Sequence, residues 1–245
     1  MDNIITTEHI NAYCLSLLAD ERAAGTISKY RRDLTAFARW LDGRAVTKES
    51  ATAWKACLLN RDYAPRTINS MLAAVNGFCR FAGLPIKLKF LSIQRQIFRD
   101  SAKELTKEEY DRLLTAARES GKERLALIME TLCATGIRVS ELRYITVEAA
   151  LAGRATITLK GKIRTILLPA KLCRKLVKYA RKQKTAAGEI FLTSSGRGIS
   201  RRQVWFELKR LCRAAGVEPT KVFPHNLRHL FATTFYRAQR DIVRL

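Results

Sequence analysis

Along most of this chain, apolar residues recur at intervals of three and four, the spacing of helices that bury one face. Thr7 can cap a helix carrying Ile10, Cys14, Leu17 and Leu18. Thr26 can cap a second, with Ile27, Tyr30, Leu34, Phe37 and Leu41 on one stripe and Gly43 placed to end it. A third is expected over 47–59, with Ala53, Trp54, Cys57 and Leu58 turned inward. Pro65 suits the first turn of a fourth, which runs through Ile68, Met71, Leu72, Val75, Phe78 and Cys79 before Gly83 and Pro85 close it. Four amphipathic helices with short connections predict a small bundle over residues 1–85.

The pattern breaks over 86–103, where Lys87, Lys89, Arg95, Arg99 and Lys103 are interspersed with apolar residues. This stretch reads as a basic linker. It is either a surface segment packed by Phe90 and Ile97 or a tether lying across a phosphate backbone, and composition does not separate the two. Helical signals resume with the capping box of Thr106 and Glu109, followed by Tyr110, Leu113, Leu114 and Ala117 on one face. A second helix over 122–134 follows. Two runs of β-formers, 156–159 and 165–168, flank Lys160-Gly161-Lys162-Ile163-Arg164 and predict a β-hairpin with a basic turn. Helices are expected again at 170–183, at 199–215 and from 226 onward. The predicted fold is mainly α: an N-terminal helical bundle, then a mostly helical domain over 104–245 with a small antiparallel β-sheet.

Charge narrows the choice of partner. The 245 residues include 45 Lys+Arg against 22 Asp+Glu, a formal net charge of +23. An excess of this size points to a polyanion, most simply nucleic acid. A basic protein that is merely soluble is the ordinary alternative. The six cysteines (14, 57, 79, 133, 173 and 212) are scattered without a CxxC pair, so neither a zinc site nor a disulfide framework is expected. No cofactor and no metal is implied. Met1-Asp2-Asn3 opens no secretory signal, and no apolar run is long enough for a bilayer, so a cytoplasmic location is expected.

Two short boxes carry the candidate chemistry. The first is Thr135-Gly136-Ile137-Arg138-Val139-Ser140-Glu141-Leu142, and the second is Pro224-His225-Asn226-Leu227-Arg228-His229. Together they hold two guanidinium groups and two of the chain's three histidines. Arginine forks match phosphate oxygens, and histidine moves protons near neutral pH. Gly136 permits a turn that re-aims the next helix, so Arg138 is expected on its first turn, with Glu141 three residues on as a positioning partner. His225, Arg228 and His229 share a helical face by their spacing of three and four, while Leu227, Leu230 and Phe231 point to the core. Lys160 and Lys162, at the hairpin turn, can each reach a groove and donate a proton, with Lys160 preferred. Each of these side chains alone has a plain reading as a solvated charge, a phosphate contact or a structural histidine.

In this order and separation, with a basic hairpin between them, the two boxes resemble those of the tyrosine recombinase (phage integrase) family. Thr26-Ile27-Ser28-Lys29-Tyr30-Arg31-Arg32-Asp33-Leu34 through Phe37 is similar to that family's SAM-like core-binding domain. Residues from about 103 resemble its catalytic domain. The resemblance implies a metal-free transesterification in which a tyrosine attacks the scissile phosphate, forming a 3′-phosphotyrosyl link and a free 5′-hydroxyl. Arg138 and Arg228 would then bind the non-bridging oxygens. Lys160 would protonate the leaving oxygen, His225 would assist proton transfer, and His229 and Glu141 would support them. Lys29, Arg31, Arg32, Arg66, Lys162 and Arg164 become candidate DNA contacts, in a clamp around duplex DNA at an inverted-repeat site.

The family pattern continues past the second box to a nucleophilic tyrosine that has no counterpart here. Tyr236 lies eight residues beyond Arg228 on the same expected helix and reads as packing or surface. The expectation is therefore a recombinase truncated before its nucleophile, which binds DNA but does not cleave it alone and forms a homo-tetramer on paired sites when full length. The rival expectation is a non-catalytic DNA-binding regulator or dominant-negative fragment.

Overall fold

The first four amphipathic segments fold as helices α1 (Thr7–Ala19), α2 (Ala24–Leu41), α3 (Lys48–Asn60) and α4 (Pro65–Phe81). The computed structural model describes residues 3–94, 103–159 and 162–239, and the chain divides into two units, Met1–Ile97 and Phe98–Leu245. The helix starts differ from expectation by a residue or two. Thr6, not Thr7, caps α1, its side chain accepting from the His9 amide. In α2 the cap position is Ala23, with no side-chain cap, and Thr26 already lies inside the helix. The left-handed residue that ends α2 is Asp42 (φ 50°), one before Gly43. Helix α3 buries Ala51, Trp54 and Leu58, leaving Ala53 exposed, so its inward stripe is rotated from the predicted one. Helix α4 buries Ile68, Met71, Leu72, Val75, Phe78 and Cys79 as its spacing requires. Leu34, Phe37, Leu41, Ile68 and Leu72 are fully enclosed at the centre of the bundle.

The first part of the basic stretch packs on this bundle. Leu88 is buried in its core, whereas Phe90 is 48% exposed. Ile97 lies outside the described residues. Two asparagines of α4, seven residues and so two turns apart, grip the passing backbone as a neighbouring strand would. Asn76 donates to the Leu88 carbonyl (2.9 Å) and accepts from the Leu88 amide (2.8 Å). Asn69 does the same for Leu91, at 2.9 and 2.7 Å. An amide side chain satisfies both groups of one residue with separate donor and acceptor atoms, whereas an ionised carboxylate can only accept.

The second unit runs α5 (Lys107–Glu119), α6 (Glu123–Thr135), a 3₁₀ helix (Val139–Tyr144), α7 (Val147–Ala152), β1 (Arg154–Leu159), β2 (Lys162–Leu167), α8 (Ala170–Lys182), α9 (Arg201–Ala215) and α10 (Pro224–Gln239). Thr106 and Glu109 form the predicted capping box. Helix α10 packs on α6, α5 on α9, and α7 on α8. Leu113, Leu125, Ile128, Met129, Leu132, Leu176, Leu208 and Leu211 share one core. The strands pair antiparallel with Leu159 opposite Lys162, so the connection is two residues long. Lys162, Ile163 and Arg164 therefore belong to β2 and not to a five-residue turn. Arg164 pairs with Ile157, which is buried, and opposed residues share a face of the pleat. The register thus directs Arg164 inward. This fold is mainly α, with an N-terminal helical unit and a second unit carrying a small antiparallel sheet.

Replacing Asn76 or Asn69 by Ala strands a donor and an acceptor of the passing segment. Each substitution is expected to cost about 1–3 kcal/mol in urea unfolding and to expose residues 84–94 to limited proteolysis. Unchanged proteolysis would mean that Leu88 alone holds the segment.

Candidate phosphate and nucleic-acid site

The first box begins where α6 ends. Gly136 adopts the left-handed conformation (φ 62°), and its amide returns to the Leu132 carbonyl at 3.0 Å. A β-carbon there would lie 2.4 Å from Cδ1 of Phe231 on α10, so glycine is required by both backbone and packing. The chain leaves this turn through buried Ile137 and reaches Arg138 in an extended conformation. Arg138 is the residue preceding the 3₁₀ helix, not part of an α-helical first turn.

Glu141 sits three residues on, 1% exposed, and gathers the local donors. The Arg138 amide donates to its Oε2 (2.7 Å) and Arg138 Nη1 to its Oε1 (3.0 Å). Arg164 Nη2 reaches Oε2 at 2.7 Å from strand β2. Burial by itself would raise the carboxyl pKa. The bonds from Arg138 and the charges of Arg164 and Arg138 outweigh it, holding Glu141 below the usual carboxylate range.

The second box supplies the third guanidinium. Pro224 opens α10, and Leu227 and Leu230 bury one side of it while Phe231 covers Gly136. Arg228 donates through Nη1 to the Gly136 carbonyl, tying the two boxes together. Burial lowers the Arg228 pKa, and the positive charges of Arg138 and Arg164 lower it further while Glu141 opposes them. Arginine remains protonated under such pressure, so the effect registers burial first and crowding of like charge second, and not loss of charge. The rings of His225 and His229 meet edge to face, 5.0 Å apart, one turn along α10.

Three guanidinium groups and one carboxylate leave a formal excess of two positive charges. The Arg138 side chain is 57% exposed and that of Arg164 is 38% exposed, so both keep donors toward solvent. Such a cluster can receive a phosphate through several charge-assisted bonds.

The remaining predicted residues divide. Lys160 lies outside the described residues, and Lys162 is placed only as a strand position. In the bundle, Lys29 pairs with buried Asp33, and Arg32 approaches the same carboxylate at 3.7 Å. Arg31 donates to Asn11 on α1. Arg32 and Arg66 are exposed. Tyr236 is 46% exposed. Among the described residues no group of three or more His, Cys, Asp or Glu side chains could hold a metal ion, and no helix is long and apolar enough to cross a membrane. Burial pushes the Cys133 thiol up to about 12, and it donates to the Leu227 carbonyl at 3.3 Å as a packing group.

One supporting position escaped the sequence reading and another was read in a different place. Asn226, buried, donates to the carbonyls of Lys103 (2.7 Å) and Lys221 (2.8 Å) and so fixes the start of α10. A polar residue immediately before the core position Leu227 was its available signal. Arg164 was read as a DNA contact on a turn, and its place beside Glu141 depends on strand register.

The Phage integrase family model matches residues 103–245, and that of its N-terminal SAM-like domain matches residues 10–83. The chain belongs to the phage integrase family, the class of tyrosine recombinases. It is 29% identical to tyrosine recombinase XerA of Pyrococcus furiosus, over 98% of this chain and 84% of that protein. It is 31% identical to tyrosine recombinase XerC of Roseiflexus castenholzii, over 96% and 82%. Among solved structures, a lambda integrase tetramer bound to a Holliday junction shares the fold, with TM-score 0.74 and 21% identity over 97% of this chain and 72% of that one. The XerH site-specific recombinase bound to difH substrate gives TM-score 0.73 at 16% identity, over 98% and 77%.

Gly136→Ala is expected to destabilise the second unit by about 1–3 kcal/mol in urea unfolding, through positive φ and the Phe231 contact. Phe231→Ala in the same chain should remove only the contact part. For Glu141 the sign follows from its depressed folded pKa. Its contribution is complete above its ordinary value of 4.5 and declines as pH falls through the folded value. Glu141→Gln should therefore cost about 1–3 kcal/mol at pH 7. The gap from the unsubstituted protein should close as the solution is acidified below the ordinary carboxylate pKa. A gap independent of pH would assign Glu141 a purely steric role.

Proposed function

We propose that this chain is the DNA-gripping and phosphate-activating body of a site-specific recombinase. The observation that carries the reading is the meeting of Arg138, Arg164 and Arg228 around buried Glu141, from segments ninety residues apart. Arg138 and Arg228 bind the non-bridging oxygens of the scissile phosphate. They gain most when the phosphorus becomes pentacoordinate and its equatorial oxygens carry more charge. Glu141 holds two of the guanidiniums in place. His225 assists proton transfer at the attacking oxygen, with His229 orienting it, and Lys160 delivers the proton to the departing 5′-oxygen. As a tyrosine oxygen bonds to phosphorus, the bond to the 5′-oxygen breaks and a 3′-phosphotyrosyl link remains. No metal or cofactor enters this scheme.

The partner is duplex DNA at an inverted-repeat site, in the cytoplasm, with four full-length copies on paired sites. The net charge of +23 supports a backbone-dominated, salt-dependent grip. Arg32, Arg66, Lys162 and Arg164 are proposed contacts. Lys29 and Arg31 act first within the bundle, where Asp33 and Asn11 hold them.

The chain by itself binds DNA without cutting it. Among the described residues no tyrosine hydroxyl bonds to Arg138, Arg164 or Arg228. The hydroxyl of Tyr144 donates to the Thr158 carbonyl, and Tyr110 and Tyr179 are buried. Tyr236 stands eight residues along α10 from Arg228, about 12 Å up the axis.

A nicked suicide duplex carrying an inverted repeat tests both parts. The expected outcome is a shifted but non-covalent complex whose affinity falls steeply between 50 and 200 mM salt, by about 10³-fold or more. Arg228→Ala should weaken it further, and supplying a C-terminal tyrosine segment should yield a covalent band that Arg138→Ala and Arg228→Ala abolish. A covalent band from this chain alone would overturn the non-cleaving part, and salt-insensitive binding would overturn the DNA reading itself.

A further inference from the structure

Helix α8 carries Lys171, Arg174, Lys175, Lys178, Arg181 and Lys182 and no carboxylate. Among the described residues, two of these cations are paired and four are not. Lys175 pairs with Glu130 of α6 and Lys182 with Glu123, each at 2.6 Å. Lys171, Arg174, Lys178 and Arg181 form no ion pair among the described residues, and their spacings of three, four and three set them in one row about 15 Å long.

Between this row and α7 lies a groove of about 420 Å³. Half-buried Cys173 and Val177 floor it, Leu151 stands on one wall, and Arg174, Lys178 and Arg181 form the rim. Leu151 is 68% exposed, a large aliphatic group left in water beside an apolar floor. The nearest carboxylate on α7, Glu148, is turned to the Gly188 amide at 3.0 Å and does not neutralise the rim. None of these residues belongs to the arginine cluster.

We propose that the α7–α8 groove is a docking site for an acidic amphipathic helix of a partner protein. Aliphatic side chains at intervals of three and four would cover Leu151, Cys173 and Val177. Aspartates and glutamates flanking that stripe would meet Arg174, Lys178 and Arg181. Charge complementarity selects the sign of the partner, and the apolar floor selects its kind. A phosphate backbone would satisfy the rim but leave Leu151 and the floor uncovered, because a backbone contact offers oxygen and no aliphatic surface. The site is separate from the proposed recombination chemistry and does not rest on it.

The test uses the whole chain and a fluorescent helical peptide of about 18 residues, long enough to hold helical structure, with leucines on one stripe and glutamates elsewhere. A control peptide of equal charge carries serine in place of leucine. Anisotropy should show the leucine peptide binding at least roughly tenfold tighter than the control. Leu151→Ser, at a position too exposed to endanger folding, and the triple substitution Arg174→Glu, Lys178→Glu and Arg181→Glu should each weaken it by roughly tenfold, with circular dichroism unchanged. Affinity for duplex DNA should stay within about twofold when Leu151→Ser is introduced, since no phosphate contact is lost. Equal binding of the two peptides, no binding of either, or indifference to Leu151→Ser would overturn the proposal. Duplex DNA displacing the peptide from the groove would do so as well, and would reassign the rim as a phosphate track.

Discussion

Three guanidinium groups cannot be gathered at one place without a counter-charge, and Glu141 is the group that makes the gathering possible. Its carboxylate is buried, which by itself is costly, and it stays ionised only because a backbone amide and two arginines donate to it. The dependence is mutual. Without Glu141, Arg138 and Arg164 repel each other and Arg228. Without the arginines, an ionised Glu141 has no place in the interior. The excess positive charge that remains, carried by the exposed ends of Arg138 and Arg164, is what a phosphate would neutralise.

The cluster also depends on how α10 meets the end of α6. Phe231 lies over Gly136, where any side chain would collide, and Arg228 one turn earlier bonds to the carbonyl of the same glycine. One small residue therefore serves the turn, the packing and the placement of an arginine. Asn226 locks the start of α10 to the backbone at Lys103 and Lys221, and Lys221 is held in turn by Glu109 of the α5 capping box at 2.8 Å. The second box is thereby coupled to the first helix of its own unit.

The bundle uses its charges differently from what composition alone suggests. Lys29 and Arg32 both approach buried Asp33, so part of the basic character of α2 is spent on an internal carboxylate before any partner is met. In helix α8, Glu130 and Glu123 take two lysines, while Arg174 and Arg181 on the α7 side form no ion pair among the described residues. Counting cations is a poor guide to which of them are available. Pairing decides that.

The helices, their inward faces in α4 and α5, the hairpin and the two boxes were legible in the sequence because periodicity, capping residues and turn formers act over a few neighbours. The sequence likewise implied that the boxes belong together, through their resemblance to one family. It did not disclose that Arg138 precedes a 3₁₀ helix, that Arg164 turns inward, or that Asn226 and Phe231 hold the site. Those depend on a one-residue choice of strand register and on contacts between residues about ninety or more positions apart. Local pattern determines which segments become helix or strand. Which charges come to share one carboxylate is decided only when those segments pack, because the partner of each group is absent from its own stretch of chain.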